Sequence, residues 1–354
     1  MKKYDNVFYF KSINSAGGVE SMFYYLSRLY KNMVVFYRKA DPEQVKRLAK
    51  NIEVHQFKEE MQINCKRFFC NYAFDIINNV KADEYYHIIH CDYKQVWFSP
   101  IVYDGFKYIG VSKLACDSFT ELTHKEAELI YNPVVLDKPD VKKKEGLHLI
   151  SATRLTREKG KDRIEKLASM LDKAGVKYDW DIYTDKQRSF SSPNIHIKPC
   201  KLDLAKEIAE STYLVQLSDH EAFGLSVCEA LTLGTPVIVT DIPAFKEIGC
   251  KHGKNAVICD LNMVGVDIEM ILKGIPKFEY TPPKSNWGKY LDNNSTYNPE
   301  DKIEVEIIPI KFTDLVTGKT YKRDDKAIIT KQRASYLEAK GYVRYKAFDN
   351  NSVL

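Results

Sequence analysis

The chain contains no run of the roughly 18 apolar residues that a membrane-spanning helix requires, so no spanning helix is expected. Its first ten residues pair two lysines with only a few apolar side chains, too short for a signal-peptide core, and export is not expected. The eight cysteines, at positions 65, 70, 91, 116, 200, 228, 250 and 259, include no Cys-x-x-Cys pair. Several stand inside apolar runs, where a thiol acts as a small core residue, and this reads as a reduced, cytoplasmic protein. No single sign of charge dominates: 53 Lys and Arg against 48 Asp and Glu leave +5. That balance suits an anionic ligand or a membrane surface without demanding either, and gives no support for nucleic-acid binding. Long repeats and low-complexity tracts are also missing, as are a full Gly-x-Gly-x-x-Gly fingerprint and a P-loop.

What is present is length and alternation. A chain of 354 residues exceeds what one hydrophobic core usually serves, which favours two domains. From the start, short apolar runs alternate with helical patterns: a strand at Val7 to Phe10, then a helix from Val19 to Tyr30 with Met22, Phe23, Leu26 and Leu29 on one face. Met33 to Tyr37 and Ile52 to Val54 read as strands around a helix that Asp41 caps and Pro42 opens. Further strands are expected at Tyr86 to His90, Tyr108 to Val111 and Leu129 to Tyr131. This pattern implies a mostly parallel sheet covered by helices.

Residues 137–146 are charged, carry Pro and Gly, and interrupt the apolar rhythm as an interdomain linker would. Strands are then expected at Leu147 to Ala152, Tyr178 to Tyr183, Ile195 to Ile197, Tyr213 to Leu217 and Pro236 to Thr240, with helices at 161–174, 204–210 and Phe223 to Leu233. The division so read is 1–140, 146–290 and a small appended module at 297–354. In the module, strands at Ile303 to Ile310, Lys311 to Val316 and Lys319 to Tyr321, with a turn at Thr317-Gly318, precede a helix from Lys331 to Lys340.

Three segments carry chemistry. Ser15-Ala16-Gly17-Gly18-Val19-Glu20 lies between a strand and a helix, where adjacent glycines let backbone amides approach an anion and the helix start adds positive potential. Tight-turn glycines explain the same residues. Ser151 to Gly160 opens the second domain and contains Arg154, a planar fork for phosphate oxygens, and Lys159, a mobile point charge. A solvated basic loop is the competing explanation. In Ser218-Asp219-His220-Glu221-Ala222-Phe223-Gly224-Leu225-Ser226-Val227-Cys228-Glu229, seven residues separate two glutamates. Glu221 could be an ordinary helix-start acid. Glu229 lies among apolar neighbours, where a carboxylate is costly without partners, and ribose hydroxyls are suitable donors to it.

Gly17-Gly18-Val19-Glu20, Arg154 with Lys159-Gly160, the Glu221-x7-Glu229 block around Gly224, and Gly234-Thr235-Pro236-Val237-Ile238 together resemble the retaining GT-B glycosyltransferases of family 4. The resemblance covers residues 5 to 290. It implies an α/β fold of two Rossmann-like domains, with a nucleotide-sugar donor, UDP-sugar favoured, held mostly by the second. Arg154 and Lys159 would bind the diphosphate and Glu229 the ribose. Glu221, with the backbone at Phe223, Gly224 and Leu225, would face the donor sugar. Gly17 and Gly18 would line the cleft from the first domain. His90, closing a strand, stands where this family often places a site histidine, although a strand-end histidine also serves structure. Ser112 and Asn132-Pro133 match family landmarks and read as structural.

Glu221 and His90 are therefore the catalytic candidates. No metal or other cofactor is expected, because positive side chains can stabilise a leaving diphosphate. Asp179-Trp180-Asp181 has the spacing of a metal-holding pair, but abuts Ile182-Tyr183 in a strand and reads as structural. The acceptor that the resemblance implies is a hydroxyl on a glycan, lipid or protein. Rival readings are a nucleotide-sugar epimerase or phosphorylase of the same fold, and a non-catalytic nucleotide-sugar-binding subunit. Lys66-Arg67-Phe68-Phe69 mixes basic and aromatic residues as a peripheral contact with the inner membrane face would, though a strand flank has the same texture. The appended module is a candidate for binding or for homo-oligomer assembly.

Overall fold

The computed structural model describes residues 2–345. By contact density it falls into two compact units. The described residues of Met1–Ile89, Val102–Ile109 and Asn286–Leu354 make the first, and His90–Ile101 with Gly110–Ser285 make the second.

In the first unit the chain alternates β1 (Lys3–Ile13), α1 (Gly18–Leu29), β2 (Met33–Ala40), α2 (Pro42–Leu48) and β3 (Glu53–Gln56), then β4 (Ile63–Cys70), β5 (Val80–Ile89) and β6 (Phe106–Gly110). The strand order is β3-β2-β1-β4-β5-β6, and the pairings from β3 to β5 are parallel. Asn6 to Phe10 of β1 are all buried, the continuous run expected of a central strand covered on both faces. Asp41 caps α2 as expected, its Oδ1 accepting the amides of Glu43 and Gln44 at 2.9 and 3.2 Å.

The second unit contains α3 (Lys113–Thr123), β7 (Ala127–Leu129), β8 (Leu147–Ala152), α4 (Lys161–Lys173), β9 (Tyr178–Thr184), β10 (Ile195–Pro199), α5 (Ala205–Glu210) and β11 (Tyr213–Gln216). It continues through α6 (Leu225–Thr232), β12 (Val237–Thr240), α7 (Pro243–Glu247), β13 (Ala256–Cys259) and α8 (Ile268–Lys273). Its parallel sheet runs β10-β9-β8-β11-β12-β13. Numbered from β1 in the first sheet and from β8 in the second, and leaving aside the edge strand β7, each sheet has the order 3-2-1-4-5-6, the Rossmann arrangement, whose direction reverses between the first and fourth strands. Those switch points lie between β1 and β4, and between β8 and β11.

Beyond the second unit the chain rejoins the first. Trp287 is fully buried, with its ring 6.1 Å from Phe8 and 5.9 Å from Phe69, and Arg67 Nη1 donates to the Tyr290 carbonyl at 3.2 Å. A small α+β module follows: β14 (Lys302–Ile307), β15 (Lys311–Thr313), β16 (Thr320–Lys322), β17 (Lys326–Thr330), α9 (Lys331–Ala339) and β18 (Val343–Tyr345). Strands β17-β14-β18 form an antiparallel sheet, and β15 and β16 a hairpin. Helix α9 packs on α2 and β3, where Ser335 Oγ donates to the Val54 carbonyl at 3.1 Å and Glu338 accepts the Gln56 amide at 3.1 Å. This docking groups the module with the first unit.

The units cut the chain differently from a division at 137–146 and near 290. Residues 137–146 contain no helix or strand and lie inside the second unit, because α3 packs against α7. Lys66 to Phe69 form part of β4 beside β1, with Phe68 and Phe69 fully buried and Arg67 paired with Glu84 at 3.1 Å, so this stretch is the strand that its texture also allowed. In the module, β17 and β18 add to the three strands expected. Six of the eight cysteines are buried and behave as core residues, burial pushing the thiols of Cys65, Cys228, Cys250 and Cys259 up to about 12, while Cys91 and Cys200 are half-buried.

Candidate functional site

In an open parallel sheet, ligands bind beyond the carboxyl ends of the strands at the switch point. In the second unit that place is occupied by the loops after β8 and β11, which carry most of the expected site residues. The two loops are joined: the Asp219 amide donates to the Glu158 carbonyl at 2.8 Å, and Arg163, from α4, donates through Nε to the Leu217 carbonyl at 2.6 Å while Nη2 pairs with Asp219 at 2.5 Å.

At their centre is the Glu221 carboxylate. Its Oε1 takes the Lys159 ammonium at 2.8 Å, the Ser218 hydroxyl at 2.7 Å and the Gln216 side-chain amide at 3.3 Å. Gln216 Nε2 also donates to Ser218 Oγ at 2.7 Å, and Thr240 Oγ1 donates to the Ser218 carbonyl at 2.6 Å. Gln216 and Ser218 are buried, and Lys159 and Glu221 are largely so, with side chains 14% and 18% exposed. Three donors on one oxygen fix the orientation of the carboxylate. A charge-assisted cluster of this kind, away from bulk water, holds its geometry more firmly than an exposed ion pair does.

Two glycines make the loops possible. Gly160 has φ +81°, and a Cβ there would stand 2.0 Å from the Leu217 carbonyl oxygen, so α4 can start this close to β11 only without a side chain. Gly224, φ +85°, turns the chain into α6, and its Cβ would meet the Phe245 ring at 2.8 Å. The first amides of α6 have no acceptor within the helix and add donors at the same strand end. Phe223 and Leu225 are buried, so only their backbones are available to a ligand.

Glu229 lies in the second turn of α6, half-buried. Arg154 is exposed, with its guanidinium 4.0 Å from Glu158, so the structure brings Lys159 to Glu221 and leaves Arg154 outside that cluster. His90 follows the last residue of β5 and is half-buried. Ser112 is structural as expected, its hydroxyl accepting the Ala115 amide, while Glu247 accepts the amides of Lys113 and Leu114 at 2.5 and 3.2 Å. The start of α3 thus already holds a carboxylate. Asp179 faces His148 and His196, at 3.7 and 3.4 Å, and Asp181 faces Lys198 at 3.4 Å. The buried Trp180 between them donates to Ser151 Oγ at 3.0 Å. In the first unit, Glu20 folds back on its loop, Oε1 accepting the Asn14 amide at 2.8 Å. Sequence reasoning missed Gln216, whose signal is one polar residue ending an otherwise apolar strand.

Residues 194–288, which contain Gln216, Ser218, Glu221 and Glu229 but not Lys159, match the family model described as Glycosyl transferases group 1. No curated protein matches the sequence. Among solved structures the chain is similar to Anabaena HepE in complex with UDP and glucose, with a TM-score of 0.61 and 12% identity over 76% of this chain and 89% of that one. It is similar to a Rickettsia africae glycosyltransferase, TM-score 0.57 at 13% identity over 76% and 88% of the two chains. The lipopolysaccharide outer core galactosyltransferase WaaB gives 0.52 at 15% over 78% and 92%. The chain has the GT-B glycosyltransferase fold. That fold and the family match together support a glycosyltransferase. No helix among the described residues is long and apolar enough to cross a membrane.

Proposed function

We propose that the chain transfers a sugar, with retention of anomeric configuration, from a nucleotide diphosphate sugar to an acceptor hydroxyl. The observation that carries this reading is the Lys159–Glu221 pair at the switch point, with Glu229 one helix turn beyond Gly224. In this reading Lys159 moves from Glu221 towards the donor diphosphate, Arg154 swings in as a second cation, and Glu229 accepts from the ribose. Glu221 Oε2 accepts from a sugar hydroxyl. The leaving diphosphate is stabilised by side-chain and backbone donors, with no metal required. A uridine nucleotide is favoured because HepE was solved with UDP and glucose.

The test is a thermal-shift screen against UDP-, GDP- and ADP-sugars with and without EDTA, since a ligand of the native state raises its melting temperature. A shift with one nucleotide class that survives EDTA supports the reading. NMR of the glycoside formed with an added acceptor then reads the anomeric configuration, and inversion would refute retention. Donor binding without transfer to any acceptor would favour the non-catalytic subunit instead.

A further inference from the structure

The hairpin of the C-terminal module presents apolar side chains on a fixed frame. Leu315 and Val316, at its tip, are 91% and 74% exposed, and Ile310, at its base, is 76% exposed. The tip is well braced. Asp314 is buried, with Oδ1 accepting the Val316 amide at 3.1 Å and Arg333 Nη2 at 2.5 Å, and Oδ2 accepting Thr317 Oγ1 at 3.2 Å. The Gly318 amide donates to the Asp314 carbonyl at 2.7 Å with φ +69°, and the Phe312 ring lies 4.9 Å from Tyr342. Two large aliphatic side chains are therefore held in water by a turn that has the hydrogen bonds to keep them there.

The exposed charge along this hairpin is mainly basic. Lys311, Lys319, Lys322 and Arg323 are exposed, and none has an ion pair among the described residues. The one acid within the hairpin, Asp314, is buried and neutralised by Arg333; the exposed Asp324 and Asp325 follow at the base, where Asp325 Oδ2 accepts the Lys322 amide at 2.7 Å, so four exposed cations face two exposed acids. Lys311 and Lys322 are direct cross-strand partners, a like-charge pairing that destabilises a hairpin unless an anion lies near both. The exposed run at Trp97, Phe98 and Ile101 differs, because Lys94 beside it is paired with Glu121.

We propose that this hairpin docks on an anionic lipid surface. Leu315 and Val316 enter the boundary between headgroups and acyl chains, and the four cations contact headgroup phosphates, their long stems lying along apolar surface. The inference is independent of the sugar-transfer reading.

The test is co-sedimentation of the full chain with vesicles of phosphatidylcholine alone or containing about 30% phosphatidylglycerol, at low salt and at about 0.5 M salt. Binding to anionic vesicles only, lost at high salt, is expected. Leu315→Asp with Val316→Asp should reduce it at least about tenfold, and Lys322→Thr about fivefold, the scale of one basic residue near such a surface. Lys322→Thr should also leave the melting temperature unchanged or raised, since it removes the like-charge pair, whereas a merely structural lysine would lower it. Equal binding to neutral vesicles, no binding at all, or binding untouched by the tip variants overturns the proposal. A dimer in light scattering that the tip variants dissociate overturns it in favour of a second copy.

Discussion

The loops after β1 and β8 occupy the same place in two Rossmann sheets, and each brings glycine to the start of a helix, yet the glycines differ in what surrounds them. Around Gly160 the space for a side chain is already taken by the Leu217 backbone, which cannot move without separating α4 from β11. Around Gly18 nothing beyond its chain neighbours and its own helix backbone lies within 4 Å of where a Cβ would stand. Gly17 is extended, φ 169°, and its Cβ would strike only Glu20 Oε2, the end of a side chain. One glycine closes a loop on its own sheet; the other keeps a patch of backbone uncovered. Packing fully accounts for Gly160 and gives no reason for Gly18, which makes the first loop the better place to look for contact with something outside the chain.

The largest expected effect sharpens that contrast. Gly160→Ala should cost about 3 kcal/mol or more in urea denaturation, because a left-handed conformation and a backbone clash coincide. A cost below about 1 kcal/mol would break the distinction. Glu229→Ala should weaken nucleotide binding by about 2 to 3 kcal/mol, the scale of hydrogen bonds to a charged group, and unchanged affinity in calorimetry of the folded variant would refute its contact with ribose. Ser218→Ala removes one of the three donors to Glu221 and should lower stability by about 1 to 2 kcal/mol. No change there would mean that Lys159 alone holds the carboxylate. Smallest is Gly18→Ala, expected within about 0.5 kcal/mol of wild type in stability but with reduced turnover of donor. Full turnover would show that the open space at Gly18 serves no ligand.

Strands β8, β9 and β11 are legible as apolar runs, and the Lys159-Gly160 step correctly announces α4. Strand β4 is obscured by Lys66 and Arg67, whose charges interrupt its run; only the sheet, by placing Arg67 beside Glu84, shows how a central strand carries them. Helix α3 is hard to read because its buried face is built largely from Ala115, Cys116 and Ser118, residues that give little apolar periodicity. The acidic and basic members of the site can be found one by one in the sequence. That Lys159 pairs with Glu221 rather than standing beside Arg154 cannot, since it depends on how closely the loops after β8 and β11 approach. Likewise the charged stretch at 137–146 reads as a connector, while the packing of α3 on α7 decides which unit its flanks belong to.

The burial of Trp287 against Phe8 and Phe69 has a consequence for biosynthesis. The whole second unit leaves the ribosome before Trp287 does, so the first unit waits with an unfilled aromatic site while the later part of the chain can already fold. The usual N-to-C order, in which the leading domain completes first, is thereby reversed. A chain truncated after Ser285 and released should show a protease-resistant second unit and a first unit still open to cleavage; equal resistance of both would contradict this order.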